Sequence, residues 1–150
     1  MLLPTTITWV IVANAERCRA LEERRRGGVL KELEAWDCPQ TEQDRRHAHH
    51  EPAVGGQRFG FGQSVVNPRD VEAQAERRFL TRYARQLNLA GVTGRYKRLI
   101  LIATPPALGV LREELGRPVQ RYVERTAACD CVGEPPEELR ERVRALRAPH

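Results

Sequence analysis

Arg95-Tyr96-Lys97-Arg98-Leu99-Ile100-Leu101-Ile102-Ala103-Thr104-Pro105-Pro106 (RYKRLILIATPP, residues 95–106) is the stretch that decides the architecture. A strand with one face in water alternates apolar and polar residues, whereas Arg98 to Thr104 carries no polar residue between its ends. That is the pattern of a strand covered on both faces, as in a parallel sheet. Parallel neighbours need a crossover connection, usually a helix. Pro105-Pro106 stops the strand and opens one that runs through Leu115, with Leu108, Leu111 and Leu115 facing inward.

Upstream of this strand, Pro68 fits the first position of a long helix, with Asn67 as its cap. Val71, Ala75, Phe79, Tyr83 and Leu87 recur at helical spacing, and Gly91 and Gly94 end the stripe. Further back, Ile7 to Ala13 (ITWVIVA) is a β-branched apolar run read as a central, buried strand. Arg17 to Glu23 returns as a second strand, Arg24 to Gly28 is a charged turn ended by glycine, and Val29 to Trp36 reads as a half-exposed antiparallel third. Downstream, Pro118 starts a short helical turn and Val123 to Cys131 reads as another strand. Pro135-Pro136 begins a final amphipathic helix with Leu139, Val143 and Leu146 on one face. The order β-β-β-loop-α-β-α-β-α predicts an α/β fold, a mixed β-sheet flanked by helices.

At 150 residues the chain reads as a single domain, residues 1–150, able to hold a core without disulfide staples. Met1 to Thr6 has no charged leader region, and the apolar run from Ile7 to Ala15 is too short to span a bilayer. The expectation is a cytoplasmic protein without a membrane partner. The net charge of +5 comes from arginine, since Lys31 and Lys97 are the only lysines. Arginine offers planar, bidentate donors suited to phosphate. The same arginines sit beside glutamates in patterns that also suit solvated helices, so nucleic acid and a plain solvated face both stand as readings. At 5% aromatic residues, an RRM-like stacking surface is not expected.

Pro39 to Asn67 is polar, His-rich and then Gly-rich, and is expected to be a long functional or mobile loop. Within it, Gly55-Gly56-Gln57 exposes backbone N–H groups with no β-carbon in the way, and lets a ligand approach the main chain closely.

Several segments together carry a family resemblance: TWVIVANAERCRALE (residues 8–22), LKELEAWD (30–37), NPRDVEAQAERRF (67–79), RYKRLILIATPPALGVLREEL (95–115) and EPPEELRERV (134–143). With these the chain resembles the bacterial host attachment family, which is itself similar to the central domain of the archaeo-eukaryotic peptide chain release factors and their Pelota relatives. The resemblance implies a ribonuclease-H-like sheet of the release-factor middle-domain type. It implies that Gly55 and Gly56 shape a catalytic loop and that Gln57 orients water at a peptidyl-tRNA ester through its main-chain N–H. Such chemistry needs electrostatic positioning more than a titrating base. Arg58 and Arg69 would then meet tRNA phosphates, and the ribosome and tRNA would be the partners.

Cys38, His47, His49, His50, Cys129 and Cys131 form a second constellation, because thiolate and imidazole are the ligands zinc prefers. Their spacing matches no standard zinc module, and buried cysteines beside a solvated histidine cluster fit the same residues. Ser64 is the only serine and lies in no Gly-x-Ser-x-Gly elbow, and no phosphate-binding loop of the P-loop or dinucleotide type appears. No cofactor is expected. Three functions stand: a release-factor-like hydrolase or ribosome-rescue module, a non-catalytic RNA or ribosome binder, and a protein-interaction role in attachment to host cells.

Overall fold

The computed structural model of the chain describes residues 6–50 and 67–149, and of residues 47–50 the backbone alone. Six strands make one mixed sheet: β1 (Thr8–Ala13), β2 (Arg17–Glu23), β3 (Leu30–Glu32), β4 (Cys38–Pro39), β5 (Arg98–Ala103) and β6 (Val123–Ala128). Their order is β3-β2-β1-β5-β6, with β4 paired to β2. β1 runs antiparallel to β2 and parallel to β5, and β5 runs parallel to β6. The unbroken apolar run is therefore an inner strand of the parallel half, and both of its faces are covered.

The helices among the described residues are α1 (Glu42–His50), α2 (Pro68–Val92), α3 (Pro105–Glu114), α4 (Arg117–Gln120) and α5 (Pro136–Arg147), and α2 to α5 supply that cover while α1 packs on α2. Successive side chains of a strand point to opposite faces. Trp9, Ile11, Leu99 and Leu101 meet Phe79, Leu87, Leu111 and Val119 from α2, α3 and α4 in one core. Val10, Val12, Ile100 and Ile102 meet Leu139 and Val143 of α5 in the other.

Asn67 caps α2 by accepting the Arg69 N–H at 2.9 Å, and Pro68 occupies the first turn. Ala75, Phe79, Tyr83 and Leu87 are buried as the stripe requires, with Val71 half-buried. Gly91 does not end this helix. It lies inside the last turn, where an added Cβ would stand 2.7 Å from the Tyr96 hydroxyl and 2.7 Å from Val119 Cγ2. The chain leaves the helix at Gly94, whose φ of 83° is costly for any residue with a side chain.

Most of the scarce aromatic side chains are spent in the α2-side core. Trp9 packs against Trp36 and Tyr96 with ring centroids 4.9 and 5.0 Å apart. Tyr83 stands 5.7 Å from Trp36 and donates its hydroxyl to the Trp36 carbonyl at 2.8 Å. The Tyr96 hydroxyl donates to the Leu87 carbonyl at 2.6 Å.

Three expected boundaries shift. The third strand covers Leu30–Glu32 rather than Val29 to Trp36, because Glu34–Trp36 closes into a 3-10 turn, with the Trp36 N–H on the Leu33 carbonyl at 2.9 Å. The docking of the Trp36 ring between Trp9 and Tyr83 overrides local strand propensity. Within the strand Leu30 is buried, whereas Val29, just before it, is 72% exposed.

The polar stretch expected as a loop from Pro39 holds β4 and helix α1. Thr41 and Asp44 cap each other at the start of α1: the Asp44 N–H reaches the Thr41 hydroxyl at 3.2 Å, and the Thr41 N–H reaches the Asp44 carboxylate at 2.8 Å. Arg82 of α2 then clamps that carboxylate at 2.7 Å. Finally, β6 ends at Ala128, and Asp130 turns the chain away by accepting the Val132 N–H at 3.2 Å.

Candidate nucleic-acid interface

Of the residues singled out in the sequence, Gly55, Gly56, Gln57 and Arg58 lie outside the described residues. Arg69 is described: it stands exposed in the first turn of α2, beside the capping Asn67. Cys38 packs against the α2-side core, with its Cα opposite that of buried Cys18. Cys129 and Cys131 belong to the α5-side core, on the other face of the sheet. Among the described residues no group of three His, Cys, Asp or Glu side chains stands close enough to hold a metal ion. The side chains of His47, His49 and His50 fall outside the description.

Strand register gathers a different set of residues. Thr8 at the start of β1 lies beside Glu23 at the end of β2 and beside Arg98 at the start of β5, while Leu99 faces Val123 at the start of β6. The tail of β2 and the heads of β5 and β6 thus line up along one end of the sheet, at a strand spacing of about 4.8 Å. Arg24, Arg25, Lys97, Arg98 and Arg121 come to that end, and all five are exposed.

Arg24 is neutralised by Glu22 at 2.9 Å. Arg25, Lys97, Arg98 and Arg121 make no ion pair among the described residues. Lys97 lies over the Tyr122 ring at 5.7 Å, and Arg95 lies over Trp9 at 5.0 Å and Trp36 at 5.7 Å. A ring quadrupole holds a cation in place without cancelling its charge. The aromatic rings therefore hold the charged heads of two surface cations.

The turn after β2 continues this basic end into a cleft of about 300 Å³ lined by Arg26, Gly27, Arg140, Val143, Arg144 and Arg147, with Glu23 at its base. Gly27 has a φ of 78°, and its carbonyl accepts Arg140 Nη2 at 2.8 Å and Nε at 3.1 Å. A carbonyl leaves the Arg140 charge intact. Deeper in, Arg147 is bound by Glu23 and Glu124, both at 2.8 Å, and Arg26 reaches Glu124 at 3.3 Å. Burial pushes the Glu124 carboxyl up, but the Arg147 hydrogen bond and the Arg147 and Arg26 charges outweigh it and hold Glu124 below its ordinary 4.5. The Glu23 hydrogen bond in turn raises Arg147.

Chemically, this end of the sheet offers fixed positive charge to an extended anion. Planar guanidinium donors and an ammonium in such a row are suited to phosphate.

Sequence reading named Arg58 and Arg69 for such contacts and missed Arg25, Lys97, Arg98 and Arg121, because three separate segments supply them. One signal was present: Arg95, Lys97 and Arg98 stand directly before the apolar run, at the point where a strand must emerge from the sheet.

A family model described as "Protein required for attachment to host cells" matches residues 9–143, from β1 into α5. Comparison with curated proteins finds no match.

Proposed function

Since the chain belongs to the host attachment family, we propose that this member acts as an RNA-binding domain that holds phosphates along the basic end of its sheet. The observation that carries this reading is the row Arg25, Lys97, Arg98 and Arg121, solvent-facing and without carboxylate partners among the described residues. We take the sheet to be of the ribonuclease-H-like, release-factor middle-domain type. The meander β3-β2-β1 continued by parallel β5 and β6 supports that. The ribosome or its tRNA is the partner this reading favours.

The test is binding of labelled tRNA, and of ribosomes, across a salt series. Each phosphate contact contributes a slope of about −0.7 to −0.9 in log K against log salt. The expected result is a steep slope for the wild type and a shallower one for the Arg25→Glu/Arg98→Glu/Arg121→Glu variant. Affinity that ignores both salt and these substitutions would overturn RNA binding, and would leave a protein-interaction role in attachment to host cells in its place.

A second reading is peptidyl-tRNA hydrolysis through Gly55, Gly56 and Gln57. It is favoured by exposed Arg69 at the foot of the segment that carries them. Here the assay is peptide release from stalled ribosomes by the wild type, Gly56→Ala and Gln57→Ala. Release by the wild type alone supports hydrolysis, and release by none of the three removes it.

A further inference from the structure

The opposite end of the sheet carries chemistry that phosphate binding does not use. Asp130, just beyond β6, accepts Asn14 Nδ2 at 3.3 Å on each of its oxygens, which ties the new turn to the end of β1. This turn folds Cys131 back on Cys129, so that their Sγ atoms stand 3.2 Å apart as free thiols. The two differ in access. Cys131 is 1% exposed, whereas Cys129 is half-buried and lines a cavity of about 180 Å³ with Ile102, Ala127, Arg142 and Leu146.

Arg142 Nη1 lies 3.9 Å from the Cys129 sulfur. Its guanidinium is fixed by Glu134 through two hydrogen bonds of 2.6 and 2.7 Å. The more accessible of the two sulfurs, Cys129, is the one an oxidant reaches first. A second thiol already in contact captures an oxidised sulfur before it goes further up the oxidation ladder.

We propose that Cys129 and Cys131 form a redox-active dithiol that hydrogen peroxide converts reversibly to an intramolecular disulfide. The Cys129 thiolate attacks one peroxide oxygen. The S–O bond forms, the O–O bond breaks, and the leaving hydroxide takes up the proton released by the thiol, giving Cys129 sulfenic acid and water. Cys131 sulfur then attacks the Cys129 sulfur, the S–O bond breaks, and the hydroxide leaves as water with the Cys131 proton. Two thiols lose two electrons in total, and one peroxide is reduced to two waters. A thiol reductant reverses the change by disulfide exchange.

The test uses the full chain, reduced, treated with hydrogen peroxide, denatured and alkylated with iodoacetamide. Arg125 and Arg140 bracket both cysteines in one tryptic peptide, residues 126–140. The expected peptide is unalkylated, lighter by two hydrogens and restored by dithiothreitol, while Cys18 and Cys38 are alkylated throughout. In Cys131→Ala, dimedone is expected to label Cys129. Arg142→Met, which leaves every thiol in place, should slow Cys129 oxidation, because it removes the guanidinium beside the reacting sulfur. The proposal is overturned by a doubly alkylated wild-type peptide after peroxide, by sulfinic acid at Cys129 in place of the disulfide, or by oxidation that falls first on Cys18 and Cys38.

Discussion

Arg147 and Glu23, 124 positions apart in sequence, are joined by two hydrogen bonds of 2.8 Å, with side chains only 8% and 2% exposed. Arg147 also binds Glu124 at 2.8 Å, so a single guanidinium fastens the last turn of α5 to the tail of β2 and the head of β6. Removing one partner of a buried ion pair leaves the others charged and unsolvated, which costs about 3–5 kcal/mol. Arg147→Met is therefore expected to lower stability by that amount in a urea titration. Glu23→Gln/Glu124→Gln in the same background should recover part of the loss.

Glu124 in this cluster and Asp44 of α1, in a separate pair with Arg82, set an acid limb of stability. Glu124 and Asp44 are both held below their ordinary values of 4.5 and 3.8: burial raises each, but the arginine partners of Glu124, and Arg82 together with the Thr41 hydrogen bonds for Asp44, outweigh it. A carboxyl with a depressed folded pKa contributes stability that is complete above the unfolded value and disappears as pH falls through the folded one. Urea midpoints should thus hold steady above about pH 5 and fall progressively below about pH 4.5. Arg82→Met should flatten the part of that fall that belongs to Asp44.

Gly91→Ala tests the close approach of α2 to Tyr96. In an open helix the change would gain about 1 kcal/mol of propensity. Here the added methyl meets the Tyr96 hydroxyl and Val119 Cγ2 at 2.7 Å each. The expected outcome is a net destabilisation of about 1–3 kcal/mol, read as a lower Tm. Pairing it with Val119→Ala should recover part of the loss.

Thr41→Ala removes the hydroxyl that accepts the Asp44 N–H and that also donates to the Asp44 carboxylate at 2.9 Å. Loss of a cap costs about 0.5–2 kcal/mol. Hydrogen exchange over residues 42–46 should accelerate while that of β5 is unchanged, which separates local fraying from global loss.

Legibility in the sequence followed the strength of the apolar pattern. β2 lies at Arg17–Glu23 as read, α2 starts at Pro68, and β5 is parallel, because in each case burial and local chemistry agree. α1 was opaque because residues 42–50 hold no apolar stripe. Its support is a reciprocal cap and the Asp44–Arg82 pair, and Arg82 is a partner that no local window contains. The early end of the third strand was hidden for a similar reason, since the Trp36 ring is placed by Trp9 and Tyr83 rather than by its neighbours in sequence. The basic end of the sheet depends on register among β1, β2, β5 and β6, which residue spacing alone does not fix. Cys129 and Cys131 were legible as a pair but not as touching thiols, because the contact comes from the turn at Asp130 and not from a strand.

The centre of the sheet has a consequence for how the protein is made. Thr8 pairs with Arg98, so β1 lies between a neighbour that follows it at once and one that arrives only after the meander, α1 and α2 have been synthesised. Long-range pairing must close its loop before any contact rewards it, and this slows folding. While the ribosome is still making α2, β1 and β2 are already able to pair, with the far side of β1 unzipped and apolar. During that interval the nascent chain presents an unprotected edge of its own core strand, and the arrival of Arg98–Ala103 closes it.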